Sequence, residues 1–243
     1  MSKDKTPPVA NRPDTRPATS SRGEIDAFLA HVRTAPSPGA SGARGRLVFA
    51  LDATMSRQPT WDRACRMQAE MFRETASIGG LSVQLVYFRG LGECRASKWV
   101  DAPERLGDLM TKIHCRGGTT QIEKVLRHTR QEAGKAPLQA LVYVGDCMEE
   151  NVDVLCGLAG ELGLMKVPAF MFQEGREPTA ASAFREIAKL SGGAYCPFDQ
   201  NSSEQLRELL NAVAVYAAGG RKALADYGKT SGGGARLLLE QLR

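Results

Sequence analysis

Three oxygen-bearing side chains occur at alternate positions where the first strongly apolar segment of the sequence ends. Asp52, Thr54 and Ser56 form this set, and residues 46–52 predict a β-strand. In an extended segment alternate residues point the same way, so one carboxylate and two hydroxyls can converge on one point. Such a set suits a hard cation, which takes oxygen ligands. The alternative is a structural role, because these residue types also cap helices and a helix is predicted over 60–78.

Thr119 lies in a glycine-rich segment that precedes another predicted helix. The two glycines before it allow the backbone to approach a ligand closely. Thr120 and Glu123 have the spacing of a capping box, which gives Thr120 a structural role. Thr119 is then free to point elsewhere, and we count it as a candidate ligand.

Asp146 directly follows residues 138–145, an apolar segment that predicts a buried strand. A carboxylate in this position is costly to hold unless a partner compensates its charge. The alternative is that Asp146 caps a helix that begins near residue 150. Glu149 and Glu150 come next, and they are either acid–base or metal-tuning groups or first-turn acids of that helix.

Apolar segments and helical segments alternate along residues 46–218, which indicates a mostly parallel sheet with helices on both faces. Residues 93–100 are more polar and follow the preceding strand too closely for a parallel crossover, so they predict an antiparallel edge strand. The strands are predicted over 46–52, 81–89, 93–100, 138–145, 167–173 and 194–198. The helices are predicted over 60–78, 103–113, 121–133, 152–162, 179–191 and 203–218.

The order and spacing of the oxygen-bearing residues resemble those of the von Willebrand factor type A (VWA) domain. A strand runs into D-x-[ST]-x-S, a Gly-Thr loop follows 65 residues after Thr54, and a strand ending in Asp follows 27 residues after Thr119. The resemblance covers about residues 45–218. It implies a doubly wound α/β sheet of six strands in the order 3-2-1-4-5-6, with the third strand antiparallel and Asp52 and Asp146 on adjacent central strands.

The same resemblance implies the metal-ion-dependent adhesion site of that family. Five residues would hold Mg²⁺ or Mn²⁺, the carboxylates directly or through water: Asp52, Thr54, Ser56, Thr119 and Asp146. An open coordination position would accept an acidic residue of a partner protein, so the implied function is a metal-dependent protein-interaction module. Intracellular members of the family often work with ATPase-type partners. The sequence departs from the family's pattern at Thr54, where serine is usual, at Met55 and at Cys147.

The composition is that of an ordinary globular protein and argues against two kinds of partner. The chain has 243 residues, 42% hydrophobic and 24% charged, with a net charge of +5. Residues 1–22 hold five basic and two acidic side chains, so the rest carries only +2, too little for a nucleic-acid surface. The longest apolar run, 212–218, is too short to span a membrane, and the N-terminus lacks the apolar segment of a secretory signal. We therefore expect a cytoplasmic protein, whose six cysteines, without a C-x-x-C pair, are reduced thiols.

Four regions are predicted along the chain. Residues 1–20 have the composition of a disordered tail, and residues 21–45 combine a short amphipathic helix with a linker rich in Pro, Gly and Ser. Residues 46–218 form the α/β domain, and residues 219–243 are an extension with a short helix. Each terminal helix either docks on the domain or is offered to a groove of a partner.

Two other functions are considered. A metal-assisted hydrolase needs a general base within reach of the ion, for which His114, Glu149 and Glu150 are the candidates. Nucleotide binding would depend on the segment 223–230, which ends in Gly-Lys-Thr like a P-loop. That segment lacks the leading glycine and follows a helix instead of a strand, which disfavours this function.

Overall fold

The fold is that of a computed structural model, which describes residues 44–60, 80–198, 208, 210–218, 223, 226 and 227. Its strands are β1 (Gly45–Asp52), β2 (Leu81–Arg89), β3 (Glu93–Ala96), β4 (Ala140–Gly145), β5 (Ala169–Glu174) and β6 (Ala194–Phe198). They form one sheet in the order β3-β2-β1-β4-β5-β6. All neighbours pair in parallel except β2 and β3, which are antiparallel. The predicted strand order, with its antiparallel edge strand, is confirmed.

Helices connect the strands and cover both faces of the sheet. They are a 3₁₀ helix (Met55–Thr60) and the α-helices α1 (Pro103–Met110), α2 (Ile122–Lys135), α3 (Val152–Leu164) and α4 (Pro178–Ser191). Residues 210–218 are also helical. No helix within the described ranges is long and apolar enough to cross a membrane.

The four inner strands of the sheet are mostly apolar because each one contributes to two cores. In β1, Leu47, Phe49 and Leu51 face a core shared with the helical residues 210–217. The alternate residues, such as Val48, face a second core formed with α2, α3 and α4. Since side chains of a strand alternate between the faces of a sheet, both faces must be apolar for both cores to close.

Local capping fixes where two of the helices begin and end. The side chain of Asn151 accepts hydrogen bonds from the backbone amides of Asp153 and Val154 at the start of α3. At the start of α4, the side chain of Glu177 accepts hydrogen bonds from the backbone amides of Thr179 and Ala180. That helix ends at Gly192, whose φ of 75° lies in the left-handed region that glycine adopts at little cost.

Two elements are shorter than the sequence predicts by three residues or more. The edge strand ends at Ala96, because the Ser97 hydroxyl accepts the hydrogen bond from the Leu85 amide and interrupts the ladder. A single bridge between Val83 and Val100 continues the pairing. Helix α1 ends at Met110. The next residues form turns, in which the Lys112 and Ile113 amides donate hydrogen bonds to the carbonyls of the residues three positions earlier.

Several predicted elements lie outside the described residues. They are the N-terminal tail and helix, nearly all of the helix over 60–78, the P-loop-like sequence apart from three residues, and the C-terminal helix. The helix predicted over 203–218 is described at residues 208 and 210–218, where it is helical.

Candidate metal centre

The two aspartates that the sequence singles out lie at the ends of neighbouring strands. Asp52 is the last residue of β1, and Asp146 directly follows β4. The two strands are parallel and paired, with Leu51 opposite Val144. In the sheet, β2 and β3 lie on one side of β1, whereas β4, β5 and β6 lie on its other side. This pair of strands is therefore the switch point of the sheet, where ligands of doubly wound folds bind.

Asp52 is a buried carboxylate with one of its two oxygens unpaired. Its side chain has no exposed surface. Oδ1 accepts a hydrogen bond of 2.8 Å from the Thr54 amide. Oδ2 is buried and has no hydrogen-bond partner among the described residues. Burial raises the pKa of Asp52 from 3.8 to about 7, the Asp146 carboxylate adds to the rise, and the contacts with Thr54 and Arg57 oppose it.

A second carboxylate and a thiol lie beside Asp52. A carboxylate oxygen of Asp52, one of Asp146 and the sulfur of Cys147 all lie within 4.8 Å of one another. Oδ1 of Asp146 is also buried without a hydrogen-bond partner within the described ranges. Burial raises the pKa of Cys147 to about 12, and the nearby carboxylates add to this effect. In the absence of a cation, this thiol is protonated at neutral pH.

The two hydroxyls of the sequence motif face each other. Thr54 Oγ1 lies 3.0 Å from Ser56 Oγ. Thr54 is buried, whereas Ser56 is exposed at the start of the 3₁₀ helix. Asp52 forms the turn that carries them, since its Oδ1 holds the Thr54 amide. The alternative role of Asp52 as a local cap therefore accounts for one of its oxygens and leaves the other without a function.

Backbone contacts hold the loop that carries Thr119 against the end of β1. The amide of Arg116 donates a hydrogen bond of 3.1 Å to the carbonyl of Ala53. A Cβ on Gly118 would lie only 2.1 Å from the Gly90 carbonyl oxygen, so the close approach of the two loops requires glycine. Thr119 itself is exposed.

Glu149 and Glu150 form hydrogen bonds that neither of their two predicted roles describes. They are not first-turn acids of α3, because that helix is capped by Asn151 and begins at Val152. Glu150 instead accepts hydrogen bonds of 2.5 Å and 2.9 Å from the amides of Ile122 and Glu123, the first residues of α2.

Glu149 Oε2 accepts from the amide and the hydroxyl of Thr120 at 2.8 Å and 3.1 Å. The predicted capping box is wrong, since the cap position is Gln121, whose side chain makes no cap hydrogen bond. Thr120 does have a structural role, but through Glu149. Asp146 is likewise not the cap of α3, a position that Asn151 takes.

Arg57 is a buried cation that the sequence patterns do not reveal. Its side chain is 1% exposed and forms an ion pair with Glu174, the last residue of β5. Burial lowers the pKa of Arg57, and the carboxylates of Asp52 and Asp146 oppose this effect. Arg57 therefore offsets part of the negative charge at the site. The available signal was Glu174 itself, because a carboxylate at the end of a buried strand needs a partner.

The residues at this edge fit a small divalent cation. Two buried carboxylate oxygens have no hydrogen-bond partner in the part of the chain that the structure describes, and two hydroxyls follow Asp52 in the same turn. Carboxylate and hydroxyl oxygens are ligands that Mg²⁺ and Mn²⁺ accept. His114, a candidate base, is exposed and follows the turns after α1, so it is not at a helix end.

Comparison with known proteins identifies the fold. No protein-family model and no curated protein matches the chain. Among solved structures, a von Willebrand factor type A protein from Catenulispora acidiphila is 17% identical, with a TM-score of 0.55, over 71% of this chain and 43% of that one. The SpRpn10 VWA domain is 11% identical, with a TM-score of 0.55, over 71% of this chain and 95% of that one.

A third similar structure is the pilus adhesin SpaC from Lactobacillus rhamnosus GG in an open conformation. It is 11% identical, with a TM-score of 0.55, over 79% of this chain and 31% of that one. The chain thus spans less than half of the Catenulispora protein and of the adhesin. With the strand order described above, these likenesses show that the chain has a VWA-like fold.

Proposed function

We propose that the chain is a metal-dependent protein-interaction module. Five residues would hold Mg²⁺ or Mn²⁺: Asp52, Thr54, Ser56, Thr119 and Asp146. When bound, the ion would offer a coordination position to a carboxylate of a partner protein. The observation that carries the proposal is the fully buried Asp52, which lies beside Asp146 at the switch point of the sheet and has one oxygen without a partner among the described residues.

The donor set suits this function because three of its five members are neutral. Hydroxyls of Thr54, Ser56 and Thr119 add no negative charge, so two carboxylates alone would oppose the charge of a divalent ion. Arg57 is close enough to Asp52 and Asp146 to offset part of their charge. A partner carboxylate would then meet a site that remains electropositive, and Mg²⁺ exchanges bound water for such ligands.

The partner and the compartment are part of the same proposal. The partner would present an acidic side chain, and the resemblance to intracellular VWA proteins suggests an ATPase-type protein. Two of the similar structures are named as a VWA domain and an adhesin, which supports a role in protein contacts. We also propose that the chain works in the reducing cytoplasm, where Cys94, Cys147 and Cys156 would remain thiols.

The hydrolase alternative has less support from the site. Metal-assisted hydrolysis needs a general base within reach of the attacking water. Glu149 and Glu150 are the acidic candidates nearest to Asp146 in sequence. Both carboxylates already accept hydrogen bonds, Glu149 from Thr120 and Glu150 from the start of α2. Their carboxylates stabilise the fold in these positions, and neither is poised as a base.

Metal-dependent capture tests the proposal. The immobilised chain is incubated with an extract of its own cells, with Mg²⁺ or Mn²⁺ or with a chelator. The wild type and Asp108→Asn, which removes an exposed carboxylate of α1, should retain the same protein in metal and release it in chelator. Asp146→Asn should retain none. Equal retention in metal and chelator would contradict the proposal.

A further inference from the structure

The site contains a sixth potential ligand, which the five-residue set does not include. The sulfur of Cys147 lies within 4.8 Å of carboxylate oxygens of both Asp52 and Asp146. Cys147 is half-buried and directly follows Asp146 in the loop after β4. Two carboxylates and one sulfur therefore converge at the end of β1 and β4.

A separate observation indicates that this point needs a cation. Asp52 has no exposed surface, and its Oδ2 makes no hydrogen bond to any described residue. Asp146 Oδ1 is likewise buried and makes no hydrogen bond to any described residue. An unpaired buried carboxylate oxygen costs free energy that a bound cation would recover. The two oxygens belong to the same residues that lie against the sulfur of Cys147.

We infer that the site also takes a thiophilic divalent cation, such as Zn²⁺, with the sulfur of Cys147 as a ligand beside Asp52 and Asp146. The inference rests on the proposed function to the extent that both use the two aspartates. Mg²⁺ prefers oxygen ligands, whereas Zn²⁺ and Co²⁺ bind sulfur and oxygen. On binding, the Cys147 thiol would release its proton to solvent and coordinate as the thiolate.

The choice of ion would then control the proposed interaction. Because Mg²⁺ prefers oxygen ligands, the Cys147 sulfur stays outside its ligand set, and the ion keeps charge for a partner carboxylate. With Zn²⁺ the thiolate joins Asp52 and Asp146, and three negative ligands exceed the two charges of the ion. A site loaded in this way would attract an acidic partner less than the Mg²⁺-loaded site does. Cys147 would thereby make the interaction depend on which cation is bound.

Absorption spectroscopy with Co²⁺ as the probe tests the ligand directly. A thiolate bound to Co²⁺ gives a charge-transfer band in the near ultraviolet, and oxygen ligands give none. The band is expected with the wild type and with Cys156→Ser, which changes a half-buried cysteine of α3. It should be lost with Cys147→Ser. The Zn²⁺ affinity of Cys147→Ser should fall by about tenfold or more, while its Mg²⁺ affinity changes little.

The outcomes separate this inference from the proposed function. If the wild type binds Mg²⁺ in calorimetry but shows no charge-transfer band with Co²⁺, the inference is overturned and the proposed function stands. A band that persists in Cys147→Ser assigns the thiolate to another cysteine and also overturns it. If neither Mg²⁺ nor Co²⁺ binds, both are wrong. An unchanged Mg²⁺ affinity in Cys147→Ser verifies that the variant is folded.

Discussion

Glu150 lies in the loop after β4 and caps α2, the helix that begins at Ile122. Its two carboxylate oxygens accept the hydrogen bonds of the Ile122 and Glu123 amides. These amides have no partner within their own helix. The cap joins the loop that carries Asp146 to the helix that follows Thr119. It therefore stabilises the fold and also fixes two parts of the candidate site relative to each other.

Removing the charge of this cap should weaken both the fold and the site. Glu150→Gln loses the charged acceptor and leaves one oxygen for two amides, so we expect a loss of about 1 kcal/mol in the free energy of unfolding. The control Glu161→Gln changes an exposed carboxylate of α3 and should stay within about 0.5 kcal/mol of the wild type. Urea unfolding measures both, and equal values for the two variants would contradict the capping role.

The close approach of the Gly118 loop to Gly90 can be tested with neighbouring glycines. In Gly118→Ala the new Cβ would meet the Gly90 carbonyl oxygen at 2.1 Å, so the backbone must shift. Overpacking of this kind costs roughly 1–3 kcal/mol. Gly117→Ala is the matched control, since nothing lies within 4 Å of its Cβ. Thermal melts should show a clear loss for Gly118→Ala alone, and similar losses for both would disprove the contact.

Asp52 makes the stability of the metal-free protein depend on pH. Its pKa is about 7 in the folded chain and 3.8 in the unfolded one. Between these values the folded state binds the extra proton, so stability falls as pH rises and the loss is complete above pH 7. Asp52→Asn removes this loss. We expect the variant to gain stability over the wild type from pH 5 to pH 8 in chelator, by a few kcal/mol at most.

Urea unfolding at pH 5 and at pH 8 measures the difference in the free energy of unfolding between Asp52→Asn and the wild type. The same difference at both pH values would contradict the raised pKa of Asp52. Asp108→Asn provides the control, because it removes a carboxylate that is exposed on α1. Its difference from the wild type should be small at both pH values.

The hydroxyl of Tyr143 is buried beneath the site and makes no hydrogen bond within the described residues. Tyr143→Phe removes this unpaired group and keeps the ring contacts with Phe88 and Phe184, whose centroids lie 6.2 Å and 5.3 Å away. We expect the variant to be as stable as the wild type or more stable, by up to about 1–3 kcal/mol.

The ring and the hydroxyl of Tyr143 together explain why residue 145 is glycine. A Cβ at Gly145 would lie 2.6 Å from Tyr143 Oη and 2.9 Å from a ring carbon that Tyr143→Phe keeps. Gly145→Ala should therefore destabilise both the wild type and Tyr143→Phe, and the wild type more. A thermodynamic cycle with the two single variants and the double variant measures the share of the hydroxyl, and simple additivity would show that the hydroxyl contributes nothing to the clash.

The sequence was sufficient for the architecture because the strands are apolar on both faces. The bounds predicted for β2 and β6 match the structure, and polarity together with a short connection identified β3 as the antiparallel edge. The strand order, and with it the proximity of Asp52 and Asp146 on neighbouring parallel strands, was implied by the resemblance to the VWA domain. The mostly parallel sheet with its antiparallel edge depends on periodicity and connection length alone.

The remaining features of the site depend on contacts between residues that are distant in sequence. Glu150 caps a helix that begins 28 residues before it, and Glu149 accepts hydrogen bonds from Thr120, which a local capping pattern does not reveal. Arg57 finds its carboxylate 117 residues away in Glu174. Cys147 has no cysteine partner at metal-ligand spacing, so the test for C-x-x-C pairs could not detect its proximity to two carboxylates.

Calorimetric titration of the wild type with Mg²⁺ and Mn²⁺, beside Asp146→Asn and Asp108→Asn, tests the central claim most directly. The account predicts one bound ion for the wild type and for Asp108→Asn, and none for Asp146→Asn. The folded state should also gain roughly 2.7 kcal/mol of stability at a hundredfold excess of ion over its dissociation constant. Absence of binding to the wild type, or equal binding by Asp146→Asn, would contradict the assignment of this edge of the sheet as a metal site.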